Sequence, residues 1–252
     1  MMLTKNQIKN ISALRIKKYR DEYGLFVAEG EKLVNELLGT GLKAKELYAL
    51  SDVSLLPTTS VIHVSIEEMK KISKLNTPSS VLGIFHIPTP PMEFSPKMQQ
   101  LVVALDDIQD PGNMGTIIRL CVWFGISDLI CSLGTADCYN PKVVQSSMGA
   151  IAKIRIHYLN LPEHITRMKS EGVEIYGTYI GGESIYDAKL SLSGVLVMGN
   201  EGNGISMEVG CMIDRKITIP SFMTGDYGAE SLNVATATAI TLSEFRRRTI
   251  KL

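Results

Sequence analysis

From Val195 the chain runs Val-Leu-Val-Met and turns at once into Gly-Asn-Glu-Gly-Asn-Gly, residues 199–204. A short apolar run rich in branched side chains, ended by turn residues, reads as a buried strand. Three glycines in six residues let a backbone bend tightly and come close to a ligand. A carboxylate, Glu201, stands inside that turn. A second short strand, 216–219, stops at Pro220. The segment 230–240, Glu-Ser-Leu-Asn-Val-Ala-Thr-Ala-Thr-Ala-Ile, then reads as a helix of small residues capped by its serine or asparagine. This succession suits the floor of a binding site. A surface loop beside an ordinary core helix has the same local pattern, so the remainder of the chain has to decide.

The alternation of strand and helix runs throughout. Residues 4–20 read as a helix, with Thr4 as its cap and Ile8, Ile11, Leu14 and Ile16 as an apolar stripe. Strands are expected at 25–28, 47–50, 61–64 and 81–85. An amphipathic helix at 31–38 follows the first, and Ser65 with Glu68 forms a capping box that opens another. Residues 87–97 contain four prolines, a stiff composition that marks a linker. Beyond it, strands at 101–105, 128–131, 154–158 and 174–179 alternate with helices at 116–124, 141–150 and 161–170. The chain therefore divides into a small α/β domain over 1–90, a proline-rich linker over 91–99 and a second α/β domain over 100–252. Such alternation predicts a largely parallel sheet, with ligand sites at the carboxyl ends of its strands. Three polar loops, 106–115, 199–204 and 220–233, each follow a predicted strand directly and should meet at one sheet edge.

Composition narrows the function. No apolar run approaches the ~18–20 residues that a membrane span needs, and the start of the chain has no apolar signal core, so a cytoplasmic protein is expected. Cys121, Cys131, Cys138 and Cys211 form no C-x-x-C pair, and the four histidines have no ligand spacing; neither a disulfide framework nor a metal site is expected. The zero net charge hides an asymmetry. Residues 1–97 hold 13 Lys+Arg against 10 Asp+Glu, and residues 98–252 hold 13 against 16. Within the first twenty residues Arg15, Lys17, Lys18 and Arg20 join Lys5 and Lys9 with no acid among them. Such a basic arm is an electrostatic footprint for phosphate backbones, or a solvated helix face.

Several chemistries lack their motif. The glycine turn has the order G-x-x-G-x-G, the reverse of the dinucleotide fingerprint. There is no G-x-x-x-x-G-K-[ST] phosphate loop and no G-x-S-x-G nucleophile elbow. The three polar segments do resemble, in order, the motifs of the SpoU family of RNA ribose methyltransferases. They are DDIQDPGNMGTIIRLCVWFG at 106–125, VMGNEGNGIS at 197–206, and the Ile219-Pro220 pair followed by ESLNVATATAI at 230–240. The N-terminal run, with FVAEGEKLVNELL at 26–38, resembles a small substrate-binding domain similar to ribosomal protein L30e.

The resemblance implies a SPOUT-type α/β domain containing a deep trefoil knot, a homodimer, and transfer of a methyl group from S-adenosylmethionine to a ribose 2′-hydroxyl in RNA. By position it implies active-site roles for Asn113 and Arg119 of the first motif, Glu201 of the second, and Ser231 and Asn233 of the third. It implies cofactor contacts, mainly through the backbone, near Thr178, Gly199, Asn200, Gly204, Ile219 and Leu232, and no metal. The usual proposal for the family makes Arg119 the general base. An arginine guanidinium has almost no neutral form in proteins, so contact with a neighbouring phosphate and polarisation of the hydroxyl suit it better. The segment 221–230 is long for the family and bears on the cofactor contacts there. Ribosomal RNA is the favoured substrate. Transfer RNA, or a non-catalytic role as an RNA-binding assembly factor, are the alternatives.

Overall fold

A computed structural model describes residues 3–56, 60–89, 94, 100–222 and 231–248. In chain order the first elements are α1 (Lys5–Ala13), α2 (Lys17–Tyr23), β1 (Leu25–Glu29), α3 (Glu31–Gly39), β2 (Ala44–Ala49), β3 (Val61–His63), α4 (Ile66–Ile72) and β4 (Val81–His86). Then follow β5 (Leu101–Asp106), α5 (Pro111–Trp123), β6 (Asp128–Cys131), α6 (Pro141–Ser147), β7 (Arg155–Tyr158), α7 (Leu161–Ser170), β8 (Ile175–Ser184), β9 (Gly194–Gly199), α8 (Met207–Gly210), β10 (Arg215–Thr218) and α9 (Val234–Arg247). No helix among the described residues is long and apolar enough to cross a membrane.

Packing separates two compact units, 1–89 with 137–153, and 90–136 with 154–252. The expected linker, 91–99, lies outside the described residues except for Phe94, which is buried in the core of the second unit. The sequence pattern assigns 137–153 to the second domain, whereas its packing is with the first unit. Tyr139 lies 5.0 Å from the Phe26 ring on β1, and Val143, Val144 and Ser147 of α6 are buried.

The first unit is a four-stranded sheet in the order β1-β4-β2-β3, antiparallel except for β2 with β3. Strand alternation divides β1 between two cores. Leu25 and Val27 join Ile11, Leu14, Met69 and Ile72, while Phe26 stacks on Phe85. The expected Ser65–Glu68 capping box forms, and Thr4 caps α1 in a second box with Gln7. The single helix expected over 4–20 is two helices. Ile16 is extended, and the Leu14 carbonyl is taken by the Arg20 guanidinium at 2.9 Å instead of continuing a helical ladder.

The second unit is a six-stranded sheet in the order β10-β8-β9-β5-β6-β7, with every pairing parallel. Val102, Ala104, Val195 and Val197 face Leu161, Ile165 and Met168 of α7, and α9 packs against α5 and β9. Parallel strands put all their carboxyl ends on one side. The β5–β9 register sets Asp106 opposite Gly199, so the loops leaving those strands start as neighbours. The first helix after β5 begins at Pro111, five residues before the sequence pattern suggests. Asp110 caps it by accepting from the Asn113 amide at 2.8 Å, and proline fits its first turn because no N–H is needed there. Asn113 is thereby moved from a loop into a helical first turn.

Candidate active site

The three loops meet at the carboxyl edge of the parallel sheet. Asp106, buried at the end of β5, accepts from the Ser206 amide at 2.7 Å. The Asp107 carbonyl accepts from Asn200 Nδ2 at 2.7 Å. Asn113 Nδ2 donates to Glu201 Oε1 at 2.6 Å, and Asn113 Oδ1 accepts from Asn233 Nδ2 at 2.9 Å. Asn233 Oδ1 in turn accepts from the amides of Ala235 and Thr236, at 3.0 and 3.3 Å, as the cap of α9.

This relay has a fixed direction. An ionised carboxylate only accepts, so Asn113 must present its NH₂ to Glu201 and its oxygen to Asn233. Asn233 must then give its own NH₂ to Asn113, which leaves its oxygen for the helix amides. The helix N–H groups at one end and the carboxylate at the other thus set the orientation of both amides. Side chains 88 and 120 positions apart are joined by two hydrogen bonds, and each of the three sequence segments supplies one.

Residues 100–243 match the SpoU rRNA Methylase family. The chain belongs to that family. Residues 5–83 match the MRM3-like substrate binding domain. The 23S rRNA (guanosine(2553)-2′-O)-methyltransferase RlmP of Bacillus subtilis is 32% identical over 96% of this chain and 97% of its own. A TrmH-family protein from Porphyromonas gingivalis superposes with a TM-score of 0.86 at 39% identity, covering 98% of this chain and 100% of that one. An AdoMet-bound rRNA methyltransferase from Sinorhizobium meliloti superposes at 0.85 with 32% identity, covering 100% and 98%. The SpoU family uses S-adenosylmethionine, and this chain has the family's fold.

Of the other residues expected at a SpoU site, Arg119 is exposed on α5. It stands six positions after Asn113, about 120° round the helix and about 9 Å along it, so the structure does not bring it into the relay. Ser231 and Leu232 are exposed just before the α9 cap. The Thr178 hydroxyl turns inward, donating to the Val197 carbonyl at 3.3 Å. Ile219 is half-buried beyond β10. At Gly199 a Cβ would collide with the backbone of Gly204 and Ile205, so the turn's own close approach explains this glycine. Gly204 has φ +70°, a conformation in which glycine is unstrained. Asn200 spends its side chain on the fold of the loop. Of the segment 221–230, residues 223–230 lie outside the described residues.

The chemistry of this edge fits an adenosine-type cofactor. Leu232, 48% exposed, and Ile219 offer apolar surface, and the strand-end loops offer backbone groups.

The basic arm is corrected by the structure. Arg20 is 2% exposed. It is ion-paired with Asp137, bonds its carboxylate through Nε at 3.1 Å, and holds the Leu14 carbonyl. Arg20 therefore leaves the set of residues facing RNA and belongs to the packing of the first unit. Arg15 is half-buried and donates to the carbonyls of Ile72 and Ser73 at 2.9 and 3.3 Å, and burial lowers its guanidinium pKa. Lys17 and Lys18 are exposed, with Lys17 paired to Asp21 at 2.8 Å. The roles of Asp107 and Asp110 escaped the sequence reading, although Asp-Pro-Gly is a legible helix start.

Proposed function

We propose that this chain transfers a methyl group from S-adenosylmethionine to a ribose 2′-hydroxyl of ribosomal RNA. The observation that carries the reading is the Asn233–Asn113–Glu201 relay. It ties the three motif loops together in a chain that matches the family over residues 100–243. The cofactor, when bound, supplies an already activated methyl group. The protein's task is then to hold a weak nucleophile in line, and positioning of that kind lowers a barrier by ~7–11 kcal/mol. In this reading Asn113 and Asn233, their amides ordered by Glu201 and the α9 cap, fix the reacting ribose. Ser231 contributes a hydroxyl beside them, and Thr178, Gly199, Ile219 and Leu232 border the cofactor. Arg119 binds the phosphate next to the target ribose and polarises its hydroxyl. The exposed lysines of the first unit, Lys17 and Lys18 among them, supply salt-sensitive phosphate contacts.

The proposal includes a cytoplasmic homodimer with a trefoil knot in each second unit. Arg119 shares the exposed face of α5 with Thr116 and Trp123, the latter 84% exposed, which supports a second copy covering that face and receiving Arg119. A RlmP relative acting on a guanosine of 23S rRNA supports ribosomal RNA as the substrate.

The experiment is methyl transfer from labelled cofactor to separated ribosomal and transfer RNAs, with Arg119→Ala as control. Label at a ribose of ribosomal RNA, lost in the variant, is the expected result. Label only in transfer RNA overturns the substrate, and label in neither overturns the enzyme reading. Co-expressing Arg119→Ala with Glu201→Gln tests the dimer. If Arg119 serves the opposite site, mixed dimers keep one intact site and about a quarter of the activity returns; if it serves its own, none returns.

A further inference from the structure

Resting on that reading, we infer that Asn200 is a positioning residue: its amide locks the glycine turn to the carbonyl of Asp107 and so aims Glu201 at Asn113. Asn200 Oδ1 accepts from the amides of Gly202 and Asn203, at 2.8 and 3.1 Å. Its backbone exchanges both hydrogen bonds with Gly204, each at 2.9 Å. These contacts close the turn around Glu201. The remaining contact, Nδ2 to the Asp107 carbonyl at 2.7 Å, leaves the turn and reaches the first motif. Three of the four hydrogen bonds that an asparagine side chain can make are thus committed.

The acceptor is prepared for this contact. Asp107 has φ +61°, in the left-handed region that non-glycine residues seldom occupy, aspartate and asparagine more readily than most. Its amide is held by Ser132 Oγ at 2.9 Å. Ser132 Oγ lies 3.1 Å from Thr135 Oγ1, which donates to the Leu105 carbonyl at 3.1 Å. A hydroxyl pair thus braces the strained residue at its amide while Asn200 holds its carbonyl. Such strain at a site margin is sustained only where surrounding contacts enforce it. Its consequence here is an acceptor one residue past the end of β5, facing the second motif.

Asn200→Asp separates the two roles. The carboxylate still accepts from Gly202 and Asn203, but it cannot donate and sets a negative oxygen against the Asp107 carbonyl. The variant should keep the turn and lose the aim. The expected result is a kcat lower by about tenfold or more at saturating cofactor and RNA, the scale of one lost hydrogen bond plus an unfavourable contact. The cofactor Kd should stay within about threefold, because the turn persists. Hydrogen exchange at Gly202 and Asn203 should remain slow in Asn200→Asp and become fast in Asn200→Ala. Asp107→Val, strained at positive φ, should lower kcat in the same direction, with Asp107→Gly recovering part of the loss. The double variant Asn200→Asp/Glu201→Gln should fall no further than the more damaged single variant, since one residue acts through the other.

Wild-type kcat in Asn200→Asp overturns the inference. So does a loss confined to cofactor Kd, or additive damage in the double variant. The side-chain amide resonance of Asn113 provides a readout that needs no methyl transfer. Asn200→Asp should displace it in the direction that Glu201→Gln does. An unmoved resonance overturns the inference even if the chain proves to have a different activity.

Discussion

Asn233 performs two tasks with opposite ends of one amide, and Asn233→Asp removes one while keeping the other. Its oxygen caps α9 through Ala235 and Thr236, and a carboxylate caps at least as well, gaining from the helix dipole by ~0.3–1 kcal/mol. Its NH₂ donates to Asn113 Oδ1, and a carboxylate cannot. In the variant Asn113 faces two acceptors with one NH₂. Either it keeps Glu201 and leaves its oxygen against the introduced carboxylate, or it flips and turns that oxygen on Glu201. The first alternative forfeits a neutral hydrogen bond, ~1 kcal/mol; the second forfeits a charge-assisted one, ~1.5–3 kcal/mol. Taken from the transition state, that range corresponds to a kcat lower by roughly 5- to 150-fold. The stability of the chain should be unchanged or slightly raised. Asn233→Ala should lose the cap as well, ~0.5–2 kcal/mol, a fall in Tm of roughly 1–8 °C for a domain of this size. Single-turnover methyl transfer and thermal unfolding of both variants make the comparison. If Asn233→Asp transfers methyl at the wild-type rate, the direction of the relay is irrelevant to catalysis. If it melts as low as Asn233→Ala, the assignment of the cap is wrong.

Arg20→Ala leaves Asp137 without its partner and should cost ~3–5 kcal/mol, read by chemical denaturation; unchanged stability would return Arg20 to the candidate RNA contacts. Asp128 offers a pH test. Burial pushes its carboxyl pKa up, but hydrogen bonds from Arg155, His157 and Gln100 outweigh this and hold it below the ordinary value. A depressed folded pKa contributes stability above the unfolded value of ~3.9, and that contribution is lost as pH falls through the folded pKa. Asp128→Asn should therefore be less stable than wild type at pH 7 and converge with it below about pH 4; a gap that stays constant across that range would refute the linkage. Gly199→Ala should fold poorly or lose methyl transfer, because a methyl group there meets the backbone of Gly204 and Ile205; full activity with an unchanged melting curve would refute the close approach.

The centre of the sheet was legible because β5 and β9 carry apolar runs, as parallel strands covered on both faces have to. Val195 to Met198 and Leu101 to Leu105 announced themselves, and the rule for parallel sheets then placed the three polar loops together. What periodicity could not supply was the start of α5. The glycines and proline of Asp-Pro-Gly-Asn-Met-Gly depress helix propensity, yet Asp110 caps the helix and Pro111 suits its first turn. The break at Leu14–Ile16 was hidden for the opposite reason: the apolar stripe continues through it, while the buried Arg20 takes the Leu14 carbonyl and Ile16 is extended. Arg20 itself misled, since a charge in a basic run reads as solvated until its partner, 117 positions away, is found. The attachment of 137–153 to the first unit was illegible for the same reason, because it depends on Arg20–Asp137 and Phe26–Tyr139, contacts that sequence order does not suggest.

The relay also restricts how the proposed reaction can lose its proton. Between Glu201 and the α9 amides stand only carboxamides, which neither gain nor lose protons near neutral pH. They can orient a hydroxyl, but they cannot accept its proton. Glu201 is the one carboxylate of the relay, and its Oε1 is committed to accepting from Asn113 Nδ2. A role as proton acceptor would compete with that task. The consistent arrangement separates the two tasks. In the proposed reaction the relay would fix geometry, and the guanidinium of Arg119, standing off the relay on another face of α5, would lower the charge cost of a hydroxyl losing its proton to a phosphate or to water. A guanidinium suits that task because it offers only donors and a delocalised positive charge.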